Sequence, residues 1–265
     1  MPLHGRYRLK TRQNSKRDER EQRVREDLAA AYRLIAHFGL DDSIDTHISA
    51  RVPGTRDQFL INPYGLLFQE ITASSLVKID TEGRILERTD HVVNPAGFVI
   101  HSAIHQARHD AECVAHTHTV AGVAVASLAC GLQPCNQWAL QFHRRIAYHA
   151  FEGIAVDLEE RARLVADLGT YRAMILRNHG LLTCGSSVAE ALILMLNLDR
   201  ACRVQLAVQA SGQAPHPLSD DVCDLTASQY EQWEGISQAD GDDPYRREWD
   251  AYMRRLNPTT TSYLD

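Results

Sequence analysis

The chain has 265 residues, a length that allows one large domain or two small ones around a sizeable core. A hydrophobic share of 44% and a charged share of 23% place it among ordinary globular proteins. Its net charge of -6 excludes a whole-protein basic field that would recruit nucleic acid, and no window holds the roughly 18 apolar residues of a membrane-spanning helix.

The stretch "GRYRLKTRQNSKRDEREQRVR" is rich in Arg and Lys and has no apolar core. It predicts a solvated basic arm over residues 1–20 rather than a secretory signal. From about residue 18 to 38, Val24, Leu28, Ala31, Tyr32 and Ile35 recur at helical spacing, with Gly39 as the C-cap. The runs "THISARV", "QFLINP" and "SLVKID" predict strands, parted by the turn residues of "PGTRD" and "PYG". "PAGFVIHSAIHQARHDA" predicts a helix with Pro95 near its start, "ECVAHTHT" a strand, and "VAGVAVASLACG" an apolar helix closed by Gly131.

In the second half, "RIAYHAF" and "YRAMILRNHGLLTCG" predict strands, with the helix "DLEERARLVADLG" between them. "SVAEALILMLNLDRACRVQLAVQASG" predicts a long helix, capped by Ser186 or Ser187 with Glu190 in a capping box. After a loop beyond Gly212, "YRREWDAYMRRLN" predicts a last amphipathic helix. Strands and helices are mixed, with helices for both faces of one central sheet. This predicts a single α/β domain over residues 21–240, with 241–265 as a C-terminal helix and tail. The six cysteines form no CxxC pair and read as reduced thiols of a cytoplasmic protein.

Histidine is the unusual component, with 13 residues. In "CVAHTHTVAG", His116 and His118 are two apart on a predicted strand, so they share a face and can share a divalent ion. His179, at the polar break of "MILRNHGLL", can complete a three-histidine set, because ligands in α/β sheets gather outside strand ends. His101, His105 and His109 recur at i, i+4 and i+8, a spacing compatible with a helical ligand set, but the run continues straight into the H-x-H strand and is read as structural, with His101 the member expected to face a pocket. His47 enters a strand from a polar loop as a substrate-contact candidate, and Gly65 lies in a turn whose amides could hold an anion.

These pieces together resemble the class II aldolase/adducin family. The resemblance runs from about Leu28 to Gly212 and rests on "INPYGLLFQEITASSLVKID", "NPAGFVIHSAIHQARHDAECVAHTHT" and "MILRNHGLLTCGSSVAEAL", in that order, nearest the adducin-head branch and its bacterial relatives. It implies a three-layer α/β/α sandwich around a mixed sheet, assembled as a homotetramer. It also implies a divalent ion, zinc first with iron or manganese as alternatives, held by His116, His118 and His179.

The resemblance further implies a glutamate that moves the proton, four residues before the position of His101. Gly97 stands there, between Ala96 and Phe98, and no carboxylate replaces it. The small polar residues expected just before it are Pro95 and Ala96, and a usual Gly-Asn pair is Thr46 and His47. The "YG" turn at Tyr64 and Gly65 keeps only its glycine.

A sugar phosphate is therefore not the expected substrate. The expectation is a metal-dependent lyase that cleaves or decarboxylates a small hydroxy or keto compound. His47 is its candidate catalytic group, Thr46, Tyr64, Gly65, Gly97 and His101 surround the substrate, and Glu70 is a further polar neighbour. Two alternatives stand beside it: a non-haem iron oxygenase acting on an aromatic keto acid, and a non-catalytic adducin-like binding module. The latter is disfavoured by the lack of the long basic tail that adducins use. No nucleic-acid or membrane partner is expected.

Overall fold

The computed structural model describes residues 5–154, 157–239, 243–256 and 263–265. Its strands are β1 (His47–Arg51), β2 (Gln58–Ile61), β3 (Val77–Asp80), β4 (Cys113–Thr117), β5 (Ile146–His149), β6 (Ala173–Leu176) and β7 (Gly180–Gly185). They form one sheet in the order β3-β2-β1-β4-β7-β6-β5. Neighbours are antiparallel except β5 and β6, so the sheet is mixed, as the family resemblance implies.

Alternation across the pleat sorts strand residues between two cores. Ile48, Ala50, Leu60, Cys113, Ala115, Ile175 and Leu181 pack with helices α1 (Gly5–His37), α3 (Val120–Ala126) and α6 (Val188–Ala210). Val114, Ala147, Met174, Leu176, Leu182 and Cys184 face the opposite layer, made by α2 (Pro95–Ala107) and α5 (Glu160–Leu168). Shorter helices α4 (Gln137–Gln141) and α8 (Arg246–Met253) lie on the α6 side, and α7 (Asp220–Ala239) packs on α4. The architecture is the expected α/β/α sandwich.

Local chemistry sets the ends of the elements. Asn94 caps α2 by accepting from the Ala96 N–H at 3.0 Å, and Pro95 follows in the first turn, where its missing N–H costs nothing. Ser187 caps α6, while Glu190 reaches back to the Ser186 N–H at 2.7 Å. Tyr32 of α1 is fully buried, and its hydroxyl accepts from the Ile48 N–H at 2.7 Å, anchoring the strand that His47 begins.

Several expectations shift. The first helix starts at Gly5, so most of the stretch read as a basic arm is helical; from Arg6 to Phe38 it holds no Gly or Pro, and its Arg, Lys, Gln and Glu are good helix formers. The apolar helix expected to run to Gly131 ends at Ala126, and Gly131 lies in a later turn with φ 61°. Helix α7 has no counterpart in the sequence reading: among its described side chains Cys223 and Ala227 are buried and most of the others are exposed. His109 falls outside α2, whose C-cap is Arg108, and is exposed. All six cysteines are free thiols, and no helix among the described residues is long and apolar enough to cross a membrane.

Candidate metal centre and adjoining cavity

Three imidazoles converge at one end of the sheet. His116 lies in β4, His118 just beyond its end, and His179 in the turn between β6 and β7. Ring centroids are 4.7 Å apart for His116 and His118, 4.7 Å for His116 and His179, and 4.8 Å for His118 and His179. The turn that carries His179 depends on its neighbours. Asn178 adopts φ 56°, a conformation asparagine tolerates. A Cβ on Gly180 would lie 2.4 Å from the Thr117 carbonyl oxygen, so any larger residue would push the turn away from β4.

The donor set fits a divalent cation. His116 Nδ1–H donates to the Leu181 carbonyl at 2.9 Å, and His118 Nδ1–H donates to Asp42 at 3.0 Å. With both Nδ1 atoms committed as donors, the two Nε2 lone pairs face each other at 2.9 Å. Lone pairs at that distance repel, and a cation between them converts repulsion into coordination. Burial, with the neighbouring imidazoles, holds His116 well below the ordinary histidine value and brings His179 to about 4. Both rings are therefore neutral near pH 7, as ligation requires.

Asp42 has no local motif, and sequence reading did not single it out. The carboxylate–histidine contact fixes ring orientation and raises ligand basicity. Asp42→Asn is expected to weaken divalent-ion binding by about 10–100-fold in competition with a chromogenic chelator. Unchanged affinity would remove Asp42 from the site.

Beside the triad lies a cavity of about 410 Å³, whose walls include Thr46, His47, Tyr64, Phe151 and Ile154. No Lys or Arg is among the described residues that line it. His47 is the cross-strand partner of His116, so their side chains share a face and their rings stack at 5.4 Å and 28°. Thr46 holds φ 68°, costly for a β-branched residue, and its buried Oγ1 has no hydrogen-bond partner. A strained residue with an unpartnered hydroxyl beside a cavity is suited to meet a ligand.

The other expected site residues separate. Tyr64 is at the rim, 41% exposed, while Gly65 shapes the turn with φ 103° and is not part of the wall. His101 does not face the cavity as expected: it is fully buried behind His47. Gly97 faces the His47 ring, and a Cβ there would lie 2.5 Å from His47 Cδ2. Glu70 is exposed and accepts from the Leu67 N–H at 2.7 Å, a local cap away from the cavity.

Burial lowers the proton affinity of His47, His101, His105, His116 and His179. The unfolded chain takes up these protons near pH 6.5, whereas the folded chain resists doing so until about pH 4 or below. Unfolded chains thus bind more protons in that interval, and stability falls as pH drops from about 6.5 toward 4, by up to ~1.4 kcal/mol per pH unit for each group. Urea midpoints at pH 7.5, 6 and 5 are expected to decrease in that order; a flat series would contradict neutral burial.

Residues 26–206 match the Class II Aldolase and Adducin N-terminal domain. A Pseudomonas aeruginosa protein whose name assigns it to the class 2 aldolases is 56% identical over 192 residues, 72% of this chain and 74% of its own length. Alpha-adducin of Rattus norvegicus is 46% identical over 204 residues, 76% of this chain and 28% of adducin. An aldolase II superfamily protein from Pseudomonas syringae superposes with a TM-score of 0.87 at 48% identity, covering 93% of this chain and 96% of that one. L-fuculose 1-phosphate aldolase from Glaciozyma antarctica gives a TM-score of 0.71 at 31% identity, over 83% and 92% of the two chains. On the matched domain, on these identities and on the shared sandwich, the chain belongs to the class II aldolase and adducin family.

Proposed function

We propose that the chain is a divalent-metal-dependent lyase that cleaves a carbon–carbon bond in, or decarboxylates, a small unphosphorylated hydroxy or keto compound. The observation that carries this reading is the convergence of His116, His118 and His179 beside a cavity, two of them with their Nε2 lone pairs facing each other. These three residues would hold the ion. When bound, it polarises a substrate carbonyl or hydroxyl oxygen as a Lewis acid. The lack of Lys and Arg among the described lining residues supports an unphosphorylated substrate.

The chain's own groups do the rest. His47 Nδ1 is occupied by His101, which leaves Nε2 for proton work. In a cleavage it takes the proton of the substrate hydroxyl as that oxygen becomes a carbonyl, and returns it to carbon after the bond breaks. General acid–base help of this kind contributes about 10²–10⁴ in rate. The free Thr46 hydroxyl and Tyr64 orient the substrate, while Phe151 and Ile154 cover its apolar part.

The test is a screen of zinc-, manganese- and iron-loaded protein against 4-hydroxy-2-keto acids and other hydroxy acids. Aldehyde, keto-acid or carbon dioxide release without oxygen consumption is the expected result. Phe151 at the wall also accommodates an aryl group, which favours an iron oxygenase acting on an aromatic keto acid as the second reading. Iron-dependent oxygen uptake with an arylpyruvate would select it and reject the lyase. Metal-independent inertness toward the whole panel would favour a non-catalytic module, as the similarity to alpha-adducin allows.

A further inference from the structure

One carboxylate belongs to the cavity beside the triad. Asp45 lines it together with Thr46, His47, Tyr64 and Phe151, and no other Asp or Glu is among the described lining residues. Asp45 is exposed, and its side chain has no hydrogen bond or ion pair with any described residue. Its place is fixed by the turn that carries it. The Asp45 N–H donates to the Asp42 carbonyl at 2.9 Å, and the Asp42 carboxylate accepts from His118 Nδ1–H at 3.0 Å. On the other side Thr46, at φ 68°, turns the chain into β1, where His47 pairs with His116. Asp45 is thus held between two segments that are each tied to a histidine of the triad. A carboxylate placed in advance loses less freedom on meeting a ligand.

The charges of the wall decide what this carboxylate can receive. Lys and Arg are missing from the described lining residues, and Asp42, behind His118, adds a further negative group. A substrate phosphate or carboxylate directed at Asp45 therefore meets repulsion with no guanidinium or ammonium to offset it. The oxygen donors of a substrate belong instead on the ion that the triad would hold. Tyr64 and Phe151, 41% and 54% exposed, add aromatic faces to the same wall, and such faces attract a cation. An ammonium group gains from both features. A neutral hydroxyl gains only a weaker hydrogen bond to the carboxylate.

We propose that Asp45 is a specificity-determining residue that receives an ammonium group, so that the substrate is a small hydroxy or keto compound carrying an amino group. The oxygen atoms of that compound face His116, His118 and His179, and its ammonium faces Asp45 and the aromatic part of the wall. The inference rests on the reading of this cavity as the substrate site beside a metal ion, and it narrows the substrate class of that reading. Its test measures binding and needs no turnover.

The probes are short hydroxamates, whose oxygen atoms chelate zinc, ending in an ammonium, a hydroxyl, a methyl or a carboxylate group. Each is titrated calorimetrically into the zinc-loaded full chain and into its Asp45→Asn, Asp45→Lys and Glu70→Gln variants. An ammonium also makes the hydroxamate more acidic, so the quantity read is the ratio of wild-type to variant affinity for each probe. Asp45→Asn is expected to weaken the ammonium probe by about 2–5-fold, the range of an exposed ion pair, and to leave the methyl probe unchanged. Asp45→Lys is expected to weaken the ammonium probe further and to strengthen the carboxylate probe. Glu70→Gln removes an exposed carboxylate away from the cavity and is expected to change neither. An ammonium probe bound equally by wild type and Asp45→Asn overturns the proposal. So does an equal loss for the ammonium and hydroxyl probes, or a zinc-loaded wild type that binds no probe at all. The expected ratios in a protein inert to every substrate would instead overturn the lyase reading and leave this one standing.

Discussion

Gly97→Ala is expected to destabilise the protein, against the usual rule that alanine strengthens a helix. In an exposed helix interior the exchange gains ~1 kcal/mol. Here the new Cβ would sit 2.5 Å from His47 Cδ2, 2.8 Å from Cγ and 2.9 Å from Nε2. The obstacle is a ring held by its stack on His116 and its bond to His101, with little freedom to give way. Overpacking of this kind costs about 1–3 kcal/mol and exceeds the propensity gain. Gly97→Glu is expected to behave at least as badly alone.

Combining Gly97→Glu with His47→Asn removes the ring and is expected to recover most of the loss, with a coupling of about 1–3 kcal/mol in a double-mutant cycle of urea midpoints. That pair also recreates the asparagine and glutamate that the family resemblance implies for aldolases. A Gly97→Ala protein as stable as the wild type would show that the His47 ring does not depend on the missing Cβ.

His116→Ala is expected to abolish stoichiometric divalent-ion binding and, with it, any metal-dependent turnover. The substitution removes one of three donors and leaves the Leu181 carbonyl without its imidazole partner. Because losing a group that only hydrogen-bonds a ligand already costs about 10–100-fold in affinity, removal of a ligand itself is expected to exceed that range. His179→Ala is expected to match it, whereas His109→Ala, on an exposed turn, is expected to retain the full metal content. An ion still bound one per chain in His116→Ala would contradict the assigned ligand set.

Local pattern made the α/β class and the histidine candidates legible, and the family resemblance implied the sandwich and the ligand set. His116 and His118 were legible because strand residues two apart share a face, and His179 because a polar break ends a buried strand. One central sheet with helices on both faces followed from strands and helices interleaved along the chain, and its mixed character was implied by the family resemblance. What the sequence hid depends on contacts between distant segments. Gly97 and His47 each departed from the family pattern, but their complementarity exists only because α2 lies over β1. Asp42 sits in a turn with no motif and acquires a role only through the approach of His118. His101 looked like a pocket residue from its place on the helix, yet the larger imidazole of His47 stands between it and the cavity. Among the described side chains of helix α7, the buried stripe is too narrow to show in hydrophobic spacing.

A metal centre on His116, His118 and His179, with His47 beside it where the family resemblance implies a glutamate, can be seen in crystals grown with zinc and measured at the zinc absorption edge. One anomalous peak per chain is expected, about 2.0–2.1 Å from Nε2 of His116, Nε2 of His118 and a ring nitrogen of His179. His47 Nε2 is expected to face the open side of the ion without displacing any of the three. A main peak elsewhere, or one in which His47 replaces a member of the triad, would contradict it.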